Sequence, residues 1–131
     1  MKADLIHVRD RSEDEGDPAA PGKEIILGRS DELFQRHSEG DIAQIADNSL
    51  LAVWTRHRNR SDLSESDIIG RRSYNHGMSW GEIETYASIS EVEHQSNSNL
   101  MDASLLRLKS SDKVLLIYLG KEEIEAGNED D

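Results

Sequence analysis

The chain has 131 residues, 35% of them hydrophobic and 32% charged, with a formal net charge of −12 and no cysteine. That length fits one domain with a modest core. The acidic balance excludes a general nucleic-acid binder and an anionic membrane surface as partners, since both need a basic face, and the missing thiols exclude disulfides, thiolate metal sites and a cysteine nucleophile.

No segment reaches the ~18 consecutive apolar residues of a membrane helix. The opening residues, Met1 to Asp10, hold no apolar run long enough for a signal peptide, so the expected location is the cytoplasm. Residues 1–22 read as an N-terminal segment that is mostly loop. Leu5–Val8 is a short strand there, and Arg9–Gly22 is polar, aperiodic and carries both prolines. Lys23–Leu27 is a β-branched run ending at Gly28 and reads as a strand. Ser30–Gln35 is expected to form one helical turn capped by Ser30.

Asp41–Ala46, the turn triplet Asp47-Asn-Ser49 and the apolar run Leu50–Thr55 form a β-hairpin. A polar loop follows. Asp67–Ser73, the stretch Ser73-Tyr-Asn-His-Gly-Met-Ser-Trp80 and Gly81–Tyr86 then make a second hairpin, so four antiparallel strands run in succession. The pattern restarts with Asp102–Leu108, the turn Lys109–Lys113 and Val114–Leu119. Leu50–Trp54 corresponds to Val114–Tyr118 at an offset of 64. A repeating meander of that period is a sign of a propeller array, although repeated hairpins also occur in other all-β proteins. Residues 120–131 read as an acidic tail, with one lysine against six acids, and no strand pattern follows the third hairpin.

Arg36-His-Ser-Glu-Gly-Asp-Ile, Asp47-Asn-Ser-Leu-Leu-Ala-Val-Trp, Arg71-Arg-Ser with the stretch to Trp80, and Met101-Asp-Ala-Ser-Leu-Leu-Arg-Leu occur in that order. Together they resemble the N-terminal part of sialidase-like proteins with BNR (Asp-box) repeats, over residues 23–119. The resemblance implies an all-β, sialidase-type β-propeller fragment of about one and a half four-stranded blades. It also implies an exo-acting glycoside hydrolase whose isolated fragment is inactive, in a family often secreted or periplasmic. The alternative is a non-catalytic carbohydrate-binding or interaction module.

Ser73 to Trp80 resembles a degenerate Asp-box, with Asn75 and Ser79 at the usual Asp and Thr positions. The resemblance gives Ser73, Asn75, Gly77, Ser79 and Trp80 a structural role at the outer edge of a blade. It places chemistry at the opposite end, in three loops: Arg36–Asp41, Arg56–Asp62 and Glu91–Met101. Sialidases bind the sugar carboxylate with three arginines, use an Asp as general acid/base and a Tyr–Glu pair as nucleophile. Arg36 is the nearest match to the first arginine, although the usual Arg-Ile-Pro is absent. Asp62 is the candidate acid/base, with Asp67 as the alternative. Glu39, Asp41, Arg56 and His57 complete the candidate substrate-binding set. The remaining catalytic groups are not expected in this chain.

Composition offers plainer readings of the same residues. Arg56, Arg58, Arg60, Arg71 and Arg72 against Asp62, Glu65 and Asp67 leave that stretch at +2, which a solvated loop explains as well as a ligand does. His37 and His57 have a pKa range suited to acid/base work, but five scattered histidines need no special cause. The adjacent His37-Ser-Glu39 is not expected to form a hydrolytic triad, whose members converge from separate segments. The Asn59-Arg-Ser61 sequon has no force without secretion. No spacing suggests a zinc or EF-hand site, and no cofactor or metal is implied. The expected partner is a glycan or other carbohydrate, with self-association through exposed sheet edges.

Overall fold

The computed structural model describes residues 24–120 except 90–98, together with the backbone of His7, Val8 and Lys121. Its regular elements are eight strands, with no α-helix among the described residues. They are β1 (His7–Val8), β2 (Ile25–Ile26), β3 (Arg36–Gln44), β4 (Leu50–His57), β5 (Ser66–Ser73), β6 (Glu84–Ala87), β7 (Asn99–Leu108) and β8 (Lys113–Lys121). β3-β4-β5-β6 form an antiparallel four-stranded sheet in sequence order, and β1-β2 and β7-β8 are two-stranded.

β4 is apolar almost throughout because both faces of its sheet are covered. Side chains alternate across a strand. Leu51 and Val53, with Ile68 of β5, therefore face one side, and Ala52 and Trp54, with Ile69, face the other. The β7–β8 hairpin packs on the first face through Leu100, Ala103, Leu105, Leu116 and Tyr118. Leu27, just past β2, covers the second face with Ile25 and Trp80. Each fully buried side chain of this size stabilises the fold by about 1.5–3 kcal/mol. Polar links fix the angle between hairpin and sheet. The Asp41 carboxylate accepts the Leu105 amide at 2.9 Å, and Ser66 Oγ accepts the Leu100 amide at 2.9 Å while donating to the Leu100 carbonyl.

The hairpin repeats the first half of the sheet. β4 maps onto β8 at an offset of 64 and β3 onto β7 at 63. Each first strand carries a register shift at the equivalent place, between Ser38 and Gly40 and between Met101 and Ser104. The hairpin turns place Asn48 (φ 65°) and Asp112 (φ 53°) in the left-handed region, again 64 apart. Leu116 and Tyr118, which face the sheet, are the equivalents of Ala52 and Trp54. The hairpin thus meets the sheet's first face with the counterpart of the sheet's second face. This is a head-to-tail relation, in which each unit offers one face and receives the other.

Several expectations need correction. Ser30–Gln35 is no helical turn. The Asp31 carboxylate accepts the amides of Leu33 (2.9 Å) and Phe34 (2.8 Å), so a local side chain satisfies the backbone without helix bonds. Arg36–Asp41 and Arg56–His57 are strand residues rather than loops, because the ladder continues to the Arg36–His57 pair. Asn99–Met101 belong to β7 and Gly120–Lys121 to β8, where a loop and an acidic tail were expected. β6 starts at Glu84, three residues after the expected strand start. Most of the N-terminal segment, residues 91–98 of the third loop and residues 122–131 of the tail lie outside the described residues.

Candidate functional site

β3 and β5 begin, β4 ends and β7 begins at one end of the structure. There the buried face turns from apolar to polar. Thr55 and His57 continue the alternation of Leu51 and Val53, and they pair across the ladder with Ser38 and with Ser66. Ser38, Thr55, His57, Ser66 and Asn99 are all buried. Ser38 Oγ and His57 Nε2 are hydrogen-bonded at 2.9 Å, and Asn99 Nδ2 donates to the Asp62 carbonyl at 2.5 Å. Three further buried atoms in this group, Thr55 Oγ1, His57 Nδ1 and Asn99 Oδ1, have no partner among the described residues. Buried polar atoms without partners carry a desolvation cost and call for a polar neighbour.

Charge lies on the rim. Arg36 Nη1 donates to the Asp62 carboxylate, so the strand residue and the loop residue 26 positions later come together as an ion pair. Glu39 is exposed on the β3 bulge. Burial pushes the His57 pKa down, the Arg36 cation adds to this, and Glu39 partly opposes it. Arg56 points to the other face. Its guanidinium lies 3.7 Å from Asp67 and stacks 3.6 Å from the Phe34 ring centroid, with Arg58 at 4.6 Å. Asp41 stands apart, bonded to β7 farther along the strand. The structure therefore gathers Arg36, Glu39, His57 and Asp62, and separates them from Arg56 and Asp41.

Sequence reasoning missed Ser38, Thr55, Ser66 and Asn99. The available signal was the period-two continuation of a buried strand into Thr55 and His57. The Ser38–His57 contact has the reach of a nucleophile–base pair. Both groups are fully buried, however, and among the described residues His57 Nδ1 has no orienting acid, which such a pair requires. The contact satisfies one polar atom on each of these two buried side chains. His37, on the opposite face, accepts the Trp54 indole N–H on Nδ1 at 2.7 Å, so the proton of its neutral ring sits on Nε2.

The turn at the other end is built on Ser73. Its Oγ accepts the Gly77 amide at 2.8 Å and donates to Asn75 Oδ1 at 3.0 Å. Asn75 Oδ1 accepts the Ser79 amide at 2.9 Å, Asn75 Nδ2 donates to Ser79 Oγ at 2.7 Å, and the Trp80 indole donates to the Gly77 carbonyl at 3.1 Å. His76 (φ 60°) and Gly77 (φ 84°) both turn left-handed, a conformation glycine adopts freely. These residues close a turn at the end of the sheet opposite the polar groups.

At that same end a cleft of about 480 Å³ opens between the sheet and the hairpin, lined by Val53, Arg72, Tyr86, Leu105, Val114 and Leu116 among others. Among the described residues no three His, Asp or Glu side chains cluster as a metal site, and no helix is long and apolar enough to cross a membrane. Comparison with known proteins returns no matching family model and no matching curated protein.

Proposed function

We propose that this chain forms the first blade and the inner hairpin of the next in a sialidase-like β-propeller, and that its polar end is one wall of a glycan site. Three features support the architecture: the four-stranded meander, the head-to-tail packing of the second unit on the first, and the Asp-box-type turn at the opposite end. The observation that carries the site is the Arg36–Asp62 pair beside exposed Glu39. Arg36 keeps further N–H donors beyond the one it spends on Asp62, and the two carboxylates supply acceptors. A polyhydroxylated ring uses that mixture of donors and acceptors. In this reading hydrolysis needs groups from further blades, because among the described residues no tyrosine contacts the paired Asp62 to serve as the nucleophile.

The experiment is incubation of the purified chain with a fluorogenic sialoside. The expected result is no turnover above buffer; robust turnover by the chain alone would refute the need for further blades. A second reading, a non-catalytic interaction module, is favoured by one specific observation. The outer face of the β7–β8 hairpin exposes Leu106, Leu115, Ile117 and Leu119.

A further inference from the structure

Three surfaces are left incomplete, and they complement one another. The first is the outer face of β7–β8, where Leu106, Leu115, Ile117 and Leu119 are each 43–56% exposed. By the 64-residue correspondence, Leu115 and Ile117 are the counterparts of Leu51 and Val53, which in the first unit are covered by a hairpin. The second surface is the second face of the β3–β6 sheet. Leu27, Ile25 and Trp80 cover it over Trp54 and Ile69, but Ile42 on β3 remains 41% exposed. The third is the cleft beside β8, between Val114 and Leu116 on one side and Tyr86 and Arg72 on the other.

We propose that these surfaces bind a second copy of this chain, head to tail. The β7–β8 hairpin of one copy lays its outer face over Ile42 and the β3–β4 half of the next copy's sheet. The β1–β2 ribbon of that next copy, already seated against its own sheet, falls beside the β8 edge and over the cleft. A four-stranded unit is then assembled from two chains, two strands from each. The contact reuses the face-to-face relation that the chain already makes between its own two units, so the repeat itself specifies the occupant.

Charge agrees with this choice. Residues 99–120 carry Arg107, Lys109 and Lys113 against Asp102 and Asp112, a net +1. Residues 24–57, which hold β2 and the β3–β4 half of the sheet, carry Glu24, Asp31, Glu32, Glu39, Asp41 and Asp47 against Arg29, Arg36 and Arg56, a net −3. Complementary charge favours the pairing of unlike surfaces over that of like ones. β8 is also a nine-residue edge with no proline and a mostly apolar sequence, the kind of edge that pairs with another strand. Because the two surfaces differ, the interface is heterologous, and it closes into a ring when the rotation per copy allows. This inference rests on the repeat reading of the fold and is independent of the glycan chemistry. Loss of sugar binding would leave it standing.

The test is sedimentation velocity on the full chain and two surface variants, with far-ultraviolet circular dichroism to verify that each is folded. The wild type is expected as a discrete oligomer. Ile117→Glu blocks the donor face and Ile42→Glu the receiving face, so each alone is expected to be a folded monomer. Mixed one to one, they are expected to form a heterodimer, because the mixture retains one intact interface. A wild type that stays monomeric would overturn the proposal. So would an Ile42→Glu oligomer of wild-type size, which would indicate like-to-like hairpin packing or strands from a longer chain, and so would failure of the mixture to pair.

Discussion

Replacing Ser73 with alanine tests the turn at the sheet's far end. Ser73 is fully buried, and its Oγ takes the amides of Gly77 at 2.8 Å and Asn75 at 3.4 Å while donating to Asn75 Oδ1 at 3.0 Å. Ser73→Ala deletes all three contacts and leaves the Gly77 amide, in a buried residue, without its acceptor. An unsatisfied buried donor costs about 1–3 kcal/mol. The 3.4 Å contact adds little at that length. Asn75 still holds Ser79 through two bonds, so the turn is weakened rather than dissolved. A loss of ~2 kcal/mol follows, equivalent to a fall of roughly 6–10 °C in Tm for a domain of this size.

Urea unfolding followed by tryptophan fluorescence reads the difference, since Trp80 donates into the turn and Trp54 sits in the core. Ser79→Ala is the control. Its side chain is exposed and makes one bond to Asn75, so its cost is expected at about 0.5–1 kcal/mol. Asn75→Asp keeps the oxygen that accepts the Ser79 amide and is expected to stay within ~1 kcal/mol of wild type. A Ser73→Ala variant that unfolds within ~0.5 kcal/mol of wild type, or a Ser79→Ala variant that loses more than Ser73→Ala, would contradict this role of Ser73.

A Cβ at Gly70 would lie 2.4 Å from the Ala52 carbonyl oxygen and 2.9 Å from the Tyr86 ring. Gly70→Ala is therefore expected to cost about 1–3 kcal/mol through forced separation of β4 and β5, and an unchanged urea midpoint would contradict that. Burial lowers the His57 pKa, so the unfolded chain binds this proton more readily than the folded one. Stability is then constant above the unfolded pKa near ~6.5 and falls as pH drops below it. His57→Gln should flatten that limb of the pH–stability curve, and an equally steep limb in the variant would assign it elsewhere. Burial, aided by the Glu84 hydrogen bond, raises the Tyr86 pKa to about 12. The Tyr86 phenol is thus expected to titrate at about 12 in an alkaline absorbance titration, with stability falling as pH rises past ~10. Asp41→Ala removes the acceptor of the Leu105 amide between sheet and hairpin. Amide exchange at Leu105 is expected to quicken by about tenfold, corresponding to ~1.4 kcal/mol, and unchanged protection would remove Asp41 from that role.

The hairpins were legible because β4 and β8 are bounded by turn residues and carry β-branched or aromatic side chains that suit a half-buried pleat. The offset of 64 was visible for the same reason. Strand extents were not. Arg36, His37 and Arg56 look like loop residues by polarity, yet they are strand because the β3–β4 ladder runs on to the Arg36–His57 pair. The turn at Ser30–Gln35 went to Asp31 because an Asx bond is a local contest that polarity alone does not decide. The Arg36–Asp62 pair was half legible: both residues stood out, but their meeting depends on the loop from Arg58 to Glu65 folding back, which no spacing reveals. The buried Ser38–His57 contact was hidden for a similar reason. It joins strands 19 residues apart through register, and register is a property of the folded sheet.

The proposed glycan-facing surface is the polar end, where β3, β5 and β7 begin, and not the Ser73–Trp80 turn. Titration of the isotopically labelled chain with sialic acid, followed by amide chemical shifts, tests it most directly. The predicted result is a saturable set of changes at Arg36, Glu39, His57, Asp62 and the start of β7, with none at Ser73 to Trp80. Changes centred on that turn, or no changes at any residue of the polar end, would contradict the claim.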